Sequence, residues 1–367
     1  METKTLANKP TRRLAYIDGL KGAACIMIFA VGHWKMIYTW AESFNSIPWI
    51  EAILSSPFSF ILNADFWFNM FLVISGYLVA KSDIKNIKEV IVKCITRFFR
   101  LAFPILFVCF IIYLLYLVCG FYNSATVKLF RCDWFQSFYH NSYSLKDVLY
   151  SPYKILIISD KDMNPPYWVL KKMFISSLMI YFFKYLICKL MPKHERACFA
   201  CLIVLTMLLP CFHSFIIACL AGMFVELFEH EEITSKPYFA LWMLSIFALL
   251  YWLPPVLLHL FVLGALILYM PRIKWLERIC SSRPLTFLGD LSWGIYSFHW
   301  PLACSVGALA MIKLSDSMGL TKAYGVSFLI VLALTFIISI IYHHTFEKLA
   351  SYITIKINVF LKKLLRL

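Results

Sequence analysis

Asp18, Lys21 and His33 fall in or beside one apolar stretch near the start of the chain. Ionisable groups at membrane depth are costly and usually mark a site. His33 lies in the outer half of the stretch. Imidazole titrates nearest neutrality and is the usual general base, so His33 is the candidate base. The plainer alternative is a residue resting near the headgroups. Lys21 sits at the inner end, where a lysine commonly snorkels to water as an anchor. A second constellation runs from Leu288 to Pro301. Ser292, Tyr296 and His299 stand at i, i+4 and i+7, on one helical face. Three hydrogen-bonding groups stacked there suit a polar cavity that holds substrate or a developing oxyanion. As interhelical contacts alone they would be worth about 0.6 kcal/mol each. Arg97 and Arg100 are i, i+3 neighbours at the edge of another apolar run. Positive-inside anchoring accounts for either one; together they suit a phosphate-bearing ligand. Ser75-Gly76 permits close helix packing. Asn69 lies six residues before Ser75, over half a turn away around the helix.

These groups need helices to hold them, and composition says of what kind. The chain has 367 residues, of which 61% are hydrophobic and 15% charged, with 33 Phe, 20 Tyr and 11 Trp. Typical soluble domains are about 45–50% apolar, and mean hydropathy here is +0.75. That excludes a soluble enzyme, and also a disordered chain, which needs few aromatics and high charge. The expected fold is all-α: a polytopic transmembrane helical bundle. A net charge of +15 fits basic cytoplasmic loops better than nucleic acid, for which no module is visible. The twelve Cys are scattered, mostly in apolar runs, where Cys acts as a small hydrophobe. Cys198 and Cys201 form a C-x-x-C beside His194, a weak metal or redox signal without a second pair. No metal-ligand spacing appears.

A span needs about 20 mainly apolar residues. About ten stretches qualify: 17–38, 59–80, 101–121, 167–189, 197–212, 214–229, 238–252, 255–271, 286–312 and 323–345. With both termini cytoplasmic, most Lys and Arg fall inside, including Lys4, Lys9, Arg12 and Arg13 ahead of an uncleaved first span. Glu229, Glu231 and Glu232 also fall inside, but acidic residues count little in this rule. The membrane domain is read as 1–346, with one long polar outer loop at about 122–166 that could cover a cavity. Residues 347–367 read as a cytoplasmic amphipathic tail. His213, His259, His343 and His344 read as boundary residues.

In series these pieces resemble the acyltransferase-3 family of integral membrane acyltransferases. Tyr16-Ile-Asp-Gly-Leu-Lys-Gly followed by His33 is similar to its "DGLRG" and histidine. Phe71-Leu-Val-Ile-Ser-Gly-Tyr-Leu78 resembles its "FFVLSGYL", and Arg97-Phe-Phe-Arg100 with Pro104 its "RxxRxxP". Asn164-Pro-Pro-Tyr-Trp-Val-Leu170 resembles its "WxL", and Gly289 to Pro301 its "LGxxSYxIYLxHxP". Glu347 matches a terminal Glu. The matches keep family order over residues 16 to 347. Three departures stand out. Lys21 replaces an Arg, which removes bidentate binding. Lys21 and His33 have eleven residues between them, against the family's ten. Met173 and Asn69 replace residues that are often acidic. A twelve-residue step turns a side chain by about 120° on an α-helix. A π-bulge would restore the facing; without one Lys21 stands as an anchor.

The resemblance implies transfer of an acyl group, commonly acetyl, from cytoplasmic acyl-CoA to a hydroxyl of an envelope or exported sugar. It implies His33 and Lys21 at the reaction centre; Arg97 and Arg100, with Lys21 beside them, are the expected contacts of the donor nucleotide. Ser292, Tyr296, His299, Asn69, Ser75 and Trp168 are the expected substrate contacts. Acetyl-CoA or another acyl-CoA is the donor substrate, and no cofactor is held permanently. Partners are the acyl-CoA, the carbohydrate acceptor and the bilayer, with no nucleic acid. The location implied is the plasma or inner membrane, multi-pass. A sugar or lipid transporter or flippase is the alternative, since it too needs polar groups at depth. Transporters often carry paired repeats, and none is found.

Overall fold

The computed structural model describes residues 14–38, 63–130, 132–190, 214–228 and 255–367. The expected spans at 197–212 and 238–252 lie outside the described residues, as do His194, Cys198, Cys201, His213, Glu229, Glu231 and Glu232. Among those described, every regular element is helical. The longer helices are α1 (Ala15–Tyr38), α2 (Ala64–Ala80) and α3 (Ile87–Val118). Two short ones follow, α4 (Asp133–Gln136) and α5 (Leu145–Tyr153). Then come α6 (Leu170–Leu190), α7 (Ser214–Phe228), α8 (Pro255–Tyr269) and α9 (Lys274–Cys280). The chain ends in α10 (Arg283–Leu302), α11 (Ala308–Met318), α12 (Leu320–Tyr342) and α13 (Lys348–Leu364).

Three helices among the described residues are long and apolar enough to cross a membrane: α3, α10 continued through α11, and α12 continued into α13. They play different parts. The α10 segment is buried along most of its length, whereas α3 and α12 turn much of their surface outward. Their exposed residues include Leu114, Leu117, Leu329, Ile337 and Ile341, which in water would be an aggregation hazard and in a bilayer face lipid. The helix α3 begins at Ile87, well before the apolar run at 101. Asn86 caps it by accepting from the Glu89 amide at 3.0 Å. Its 32 residues reach about 48 Å, more than the roughly 30 Å of hydrocarbon. Along those first turns lies α13, held by Thr96 to Asn358 at 3.4 Å and by Lys88 to the Leu365 carbonyl at 3.2 Å.

Two crossings set the centre, and both are made by glycine. In the first, α1 packs on α9 and α10. A Cβ on Gly19 would overlap the Cys280 carbonyl, and one on Gly289 the Asp18 carbonyl. In the second, α2 packs on α7. A Cβ on Gly76 would overlap the Cys219 carbonyl, and one on Gly222 the Val73 carbonyl. Small residues are what allow membrane helices to approach so closely. The hydroxyls of Tyr16 and Tyr77, 3.5 Å apart, join the two crossings.

The described residues of the polar stretch 122–166 form a cap. Ser144 accepts from the Asp147 amide, and Asp147 accepts from Ser144 in return, a capping box that starts α5. These bonds with Ser144, then the pairing with Lys154 at 3.1 Å, pull the Asp147 carboxyl down to about 2. A carboxyl depressed in the folded state stabilises above the unfolded value near 4 and loses that contribution as pH falls through its folded value. A spin label at Tyr150 should therefore gain mobility as pH drops from about 4 toward about 2. Asp147→Asn should be mobile at neutral pH and indifferent to the drop. A label equally fixed at both ends of that window refutes the linkage.

Candidate active site

The helix α10 carries Pro301, which lacks an amide hydrogen and so cannot bond the Ser297 carbonyl four residues back. The carbonyl is satisfied from elsewhere. Asn164 Nδ2 donates to it at 3.1 Å, and the Tyr167 hydroxyl donates to Ser297 Oγ at 2.8 Å. Tyr296 closes the same seam by donating to the Pro166 carbonyl. The turn Pro165–Val169 is thereby fastened across the C-terminal half of α10. Beyond it a π turn, Ala303–Gly307, leaves the Cys304 carbonyl free to accept from the Tyr122 amide at 2.9 Å. Trp300 is covered by Trp134, Phe135 and Phe138 of the cap.

This docking brings several expected site residues together. Tyr296 is ringed by Phe68 and Phe71 of α2, Tyr167 of the turn, and His299. Trp168 meets Phe68 edge-on at 5.5 Å, and Lys172 Nζ sits 4.8 Å from the Trp168 ring centre. Asn69 is buried with no hydrogen-bond partner at its Oδ1. Ser292 is buried, but its hydroxyl donates to the Gly289 carbonyl of its own helix at 2.7 Å. The face expected to open on a cavity is thus packed, and two of its hydroxyl protons go to backbone carbonyls.

His299 is the group that looks toward α1. It is 5% exposed, and its ring meets Phe29 edge-on at 5.9 Å. Its Nδ1 lies 3.0 Å from the Ile295 carbonyl. A carbonyl only accepts, so Nδ1 carries the hydrogen and Nε2 is the basic nitrogen of the neutral ring. Phe29 precedes His33 by four residues, one helical turn on the same face. The backbone of α1 therefore carries position 33 one turn past the point where α1 touches His299. The His33 side chain lies outside the described residues.

Lys21 is placed elsewhere. Its Nζ pairs with Asp18 Oδ1 at 2.9 Å at the opposite end of α1. Three π turns occur among the described residues, at 154–158, 303–307 and 343–347; α1 is regular from Ala15 to Tyr38. The bulge that would align Lys21 with His33 is absent from α1, so the two positions stay about 120° apart. Around Lys21 gathers a polar group. His343 Nδ1 lies 2.9 Å from Glu347 Oε2, and Asp290 and Lys21 are within electrostatic range of Glu347. His259, expected at a boundary, is buried near the start of α8, edge-on to Phe66 near the start of α2 at 5.4 Å.

The paired arginines divide. Arg97 points inward: Nη2 donates to Ser75 Oγ and Nε to Ser177 Oγ, each at 3.0 Å. It ties α2, α3 and α6 together, while Arg100 is exposed. Because a lysine has no fork, Arg97→Lys should cost about 2 kcal/mol, as charge-assisted hydrogen bonds are lost. Arg100→Lys should stay within about 0.5 kcal/mol. Thermal unfolding in detergent measures both, and equal melting temperatures for the two variants would refute the tie.

The sequence left Asn164, Tyr167 and Ser177 without roles. The one available signal was Pro301, which strands a carbonyl that something must satisfy. Comparison with curated proteins finds no match, and comparison with solved structures finds none. A family model described as an acyltransferase domain matches residues 14–344. With nearly the whole chain covered and the apolar helices in place, the protein belongs to the acyltransferase-3 family of membrane acyltransferases, enzymes that move groups other than amino-acyl groups.

Proposed function

We propose that this acyltransferase moves an acyl group, most simply acetyl, from cytoplasmic acyl-CoA to a hydroxyl of a cell-envelope or exported sugar. The observation that carries the reading is the buried imidazole of His299 against Phe29, one turn before His33 on α1. The backbone of α1 then carries position 33 one turn past the point where α1 meets His299. The chain spans the cell membrane about ten times with both termini inside, and the bilayer is its solvent. The CoA nucleotide docks at the inner end on Arg100 and on Arg97, whose guanidinium is oriented by Ser75 and Ser177. Lys21, with Glu347 nearby, serves that donor mouth.

His33 accepts the proton of the acceptor hydroxyl. The oxygen attacks the thioester carbonyl carbon, forming the new C–O bond, and the C–S bond breaks to release CoA as thiolate. The imidazolium returns its proton to that sulfur. His299 contacts the acceptor or the oxyanion. Tyr296, Ser292, Asn69 and Trp168 shape the walls around it. Nothing is held permanently; the acyl-CoA is consumed as substrate.

The test uses purified protein in nanodiscs with radiolabelled acetyl-CoA, with and without a mixed polysaccharide acceptor pool. Label appearing in the acceptor, with matching CoA release, supports the reading. No CoA binding and no release shifts it to transport.

A further inference from the structure

The cap between α3 and α6 forms a half-open cavity of about 330 Å³. That is at the small end of the roughly 300–1,000 Å³ range of ligand pockets, a size suited to one small polar unit. Asp147, Asp160, Asp162, Lys154, Asn141 and Tyr143 line it. Three carboxylates against one ammonium make it a negative site in a chain of net charge +15. Tyr143 registers that field: its phenol is pushed up by burial and then by Asp162 and Asp160.

The walls are held in place before any ligand arrives. Asn141 donates to Asp162 Oδ2 at 3.0 Å, and the Tyr143 hydroxyl to the Asp162 carbonyl at 3.0 Å. Asp160 accepts from the Asp162 amide at 3.0 Å. Lys154 lies between Asp147, at 3.1 Å, and Asp160, at 3.8 Å. Each ionised carboxylate offers about four acceptor positions, more than these donors fill. A ligand rich in donors suits such walls. Preorganised walls also keep the entropy cost of binding low. Met163 lines the cavity, and its neighbour Asn164 is bonded to α10 at Ser297, two residues from His299. The cavity thus adjoins the candidate active site along the chain.

We propose that this cavity is a docking subsite for a hydroxyl-rich unit bearing a positively charged amine, as an amino-sugar residue presents, on the acceptor side of the reaction. It rests on the reading of a sugar acceptor, but direct binding tests it separately.

The full chain in nanodiscs is titrated with a glucosamine tetramer carrying free amines, and with maltotetraose as the neutral control of equal length. The glucosamine oligomer should bind about ten-fold or more tighter, as a charge-matched ligand does. Asp160→Asn with Asp162→Asn should weaken it about ten-fold, and Lys154→Gln should tighten it. The opposite signs separate charge recognition from simple loss of structure. No saturable binding, equal affinity for both oligomers, or weaker binding by Lys154→Gln overturns the subsite. Saturable binding in a protein that transfers no acyl group overturns the enzymatic reading and leaves the subsite standing.

Discussion

Replacing His33 with alanine is expected to lower acyl transfer by about 10²–10⁴-fold, the usual worth of a positioned general base. Donor binding should be unchanged, because the cations assigned to CoA lie at the other end of the bundle. His33 lies in the outer half of the first apolar stretch, two residues before Lys35, and is the group there whose ordinary titration range suits a base near neutrality. Regular helical geometry then puts its position one turn past Phe29, whose ring meets His299. His299 is the natural competitor for the role, since its Nδ1 is engaged by the Ile295 carbonyl and its Nε2 is basic. Single-turnover CoA release over a pH series separates them. The titrating limb should vanish in His33→Ala and persist, with lower amplitude, in His299→Gln. Full activity in His33→Ala together with loss in His299→Gln would transfer the base to α10.

Gly76→Val is expected to prevent assembly of the α2–α7 pair. A Cβ at Gly76 already overlaps the Cys219 carbonyl, and Gly222 on the facing helix meets the Val73 carbonyl in the same way. Overpacking against side chains costs about 1–3 kcal/mol because side chains can turn aside. A backbone carbonyl inside a helix has no such freedom, so at least the top of that range applies. The loss would be read as a fall in the monodisperse fraction after extraction and an earlier thermal transition. Gly325→Ala is the control. Nothing stands within 4 Å of a Cβ there, and alanine is favoured over glycine in a helix by about 1 kcal/mol. If both variants extract and melt alike, close approach is not what holds α2 to α7.

The fold was legible where the apolar runs were long and the chemistry local. The stretches at 17–38, 255–271 and 323–345 correspond closely to α1, α8 and α12, because a run of that length in lipid has no alternative to a helix. Ser75-Gly76 was readable as a packing site for the same reason. Harder was the sorting of Arg97 from Arg100. Three residues separate them by only about 60° around the helix, yet the junction with α2 and α6 is narrow enough to take one and leave the other exposed. Spacing named the shared face of Ser292, Tyr296 and His299. What covers that face comes from α1, α2 and the turn at 165–169, whose arrival depends on distant partners. The burial of His259 was not legible, because a histidine near a run's end looks alike whether it meets headgroups or Phe66. Asp147 could be read only as one more charge in a polar loop, since its box with Ser144 needs the helix start to be known.

The bond from Asn164 to the Ser297 carbonyl also has a history in time. Asn164 precedes its acceptor by 133 residues. At about 5–20 residues per second of synthesis, roughly 7–27 s pass between the two leaving the ribosome. During that interval the cap has been delivered but its mooring does not exist. When α10 does arrive, its proline leaves a carbonyl that lipid cannot satisfy, and a residue made long before supplies the donor. Arrival of α10 is therefore registered at the cap: a chain that stops before α10 keeps a loose cap, which a surveillance protease could cut, and a chain that has made α10 hides it.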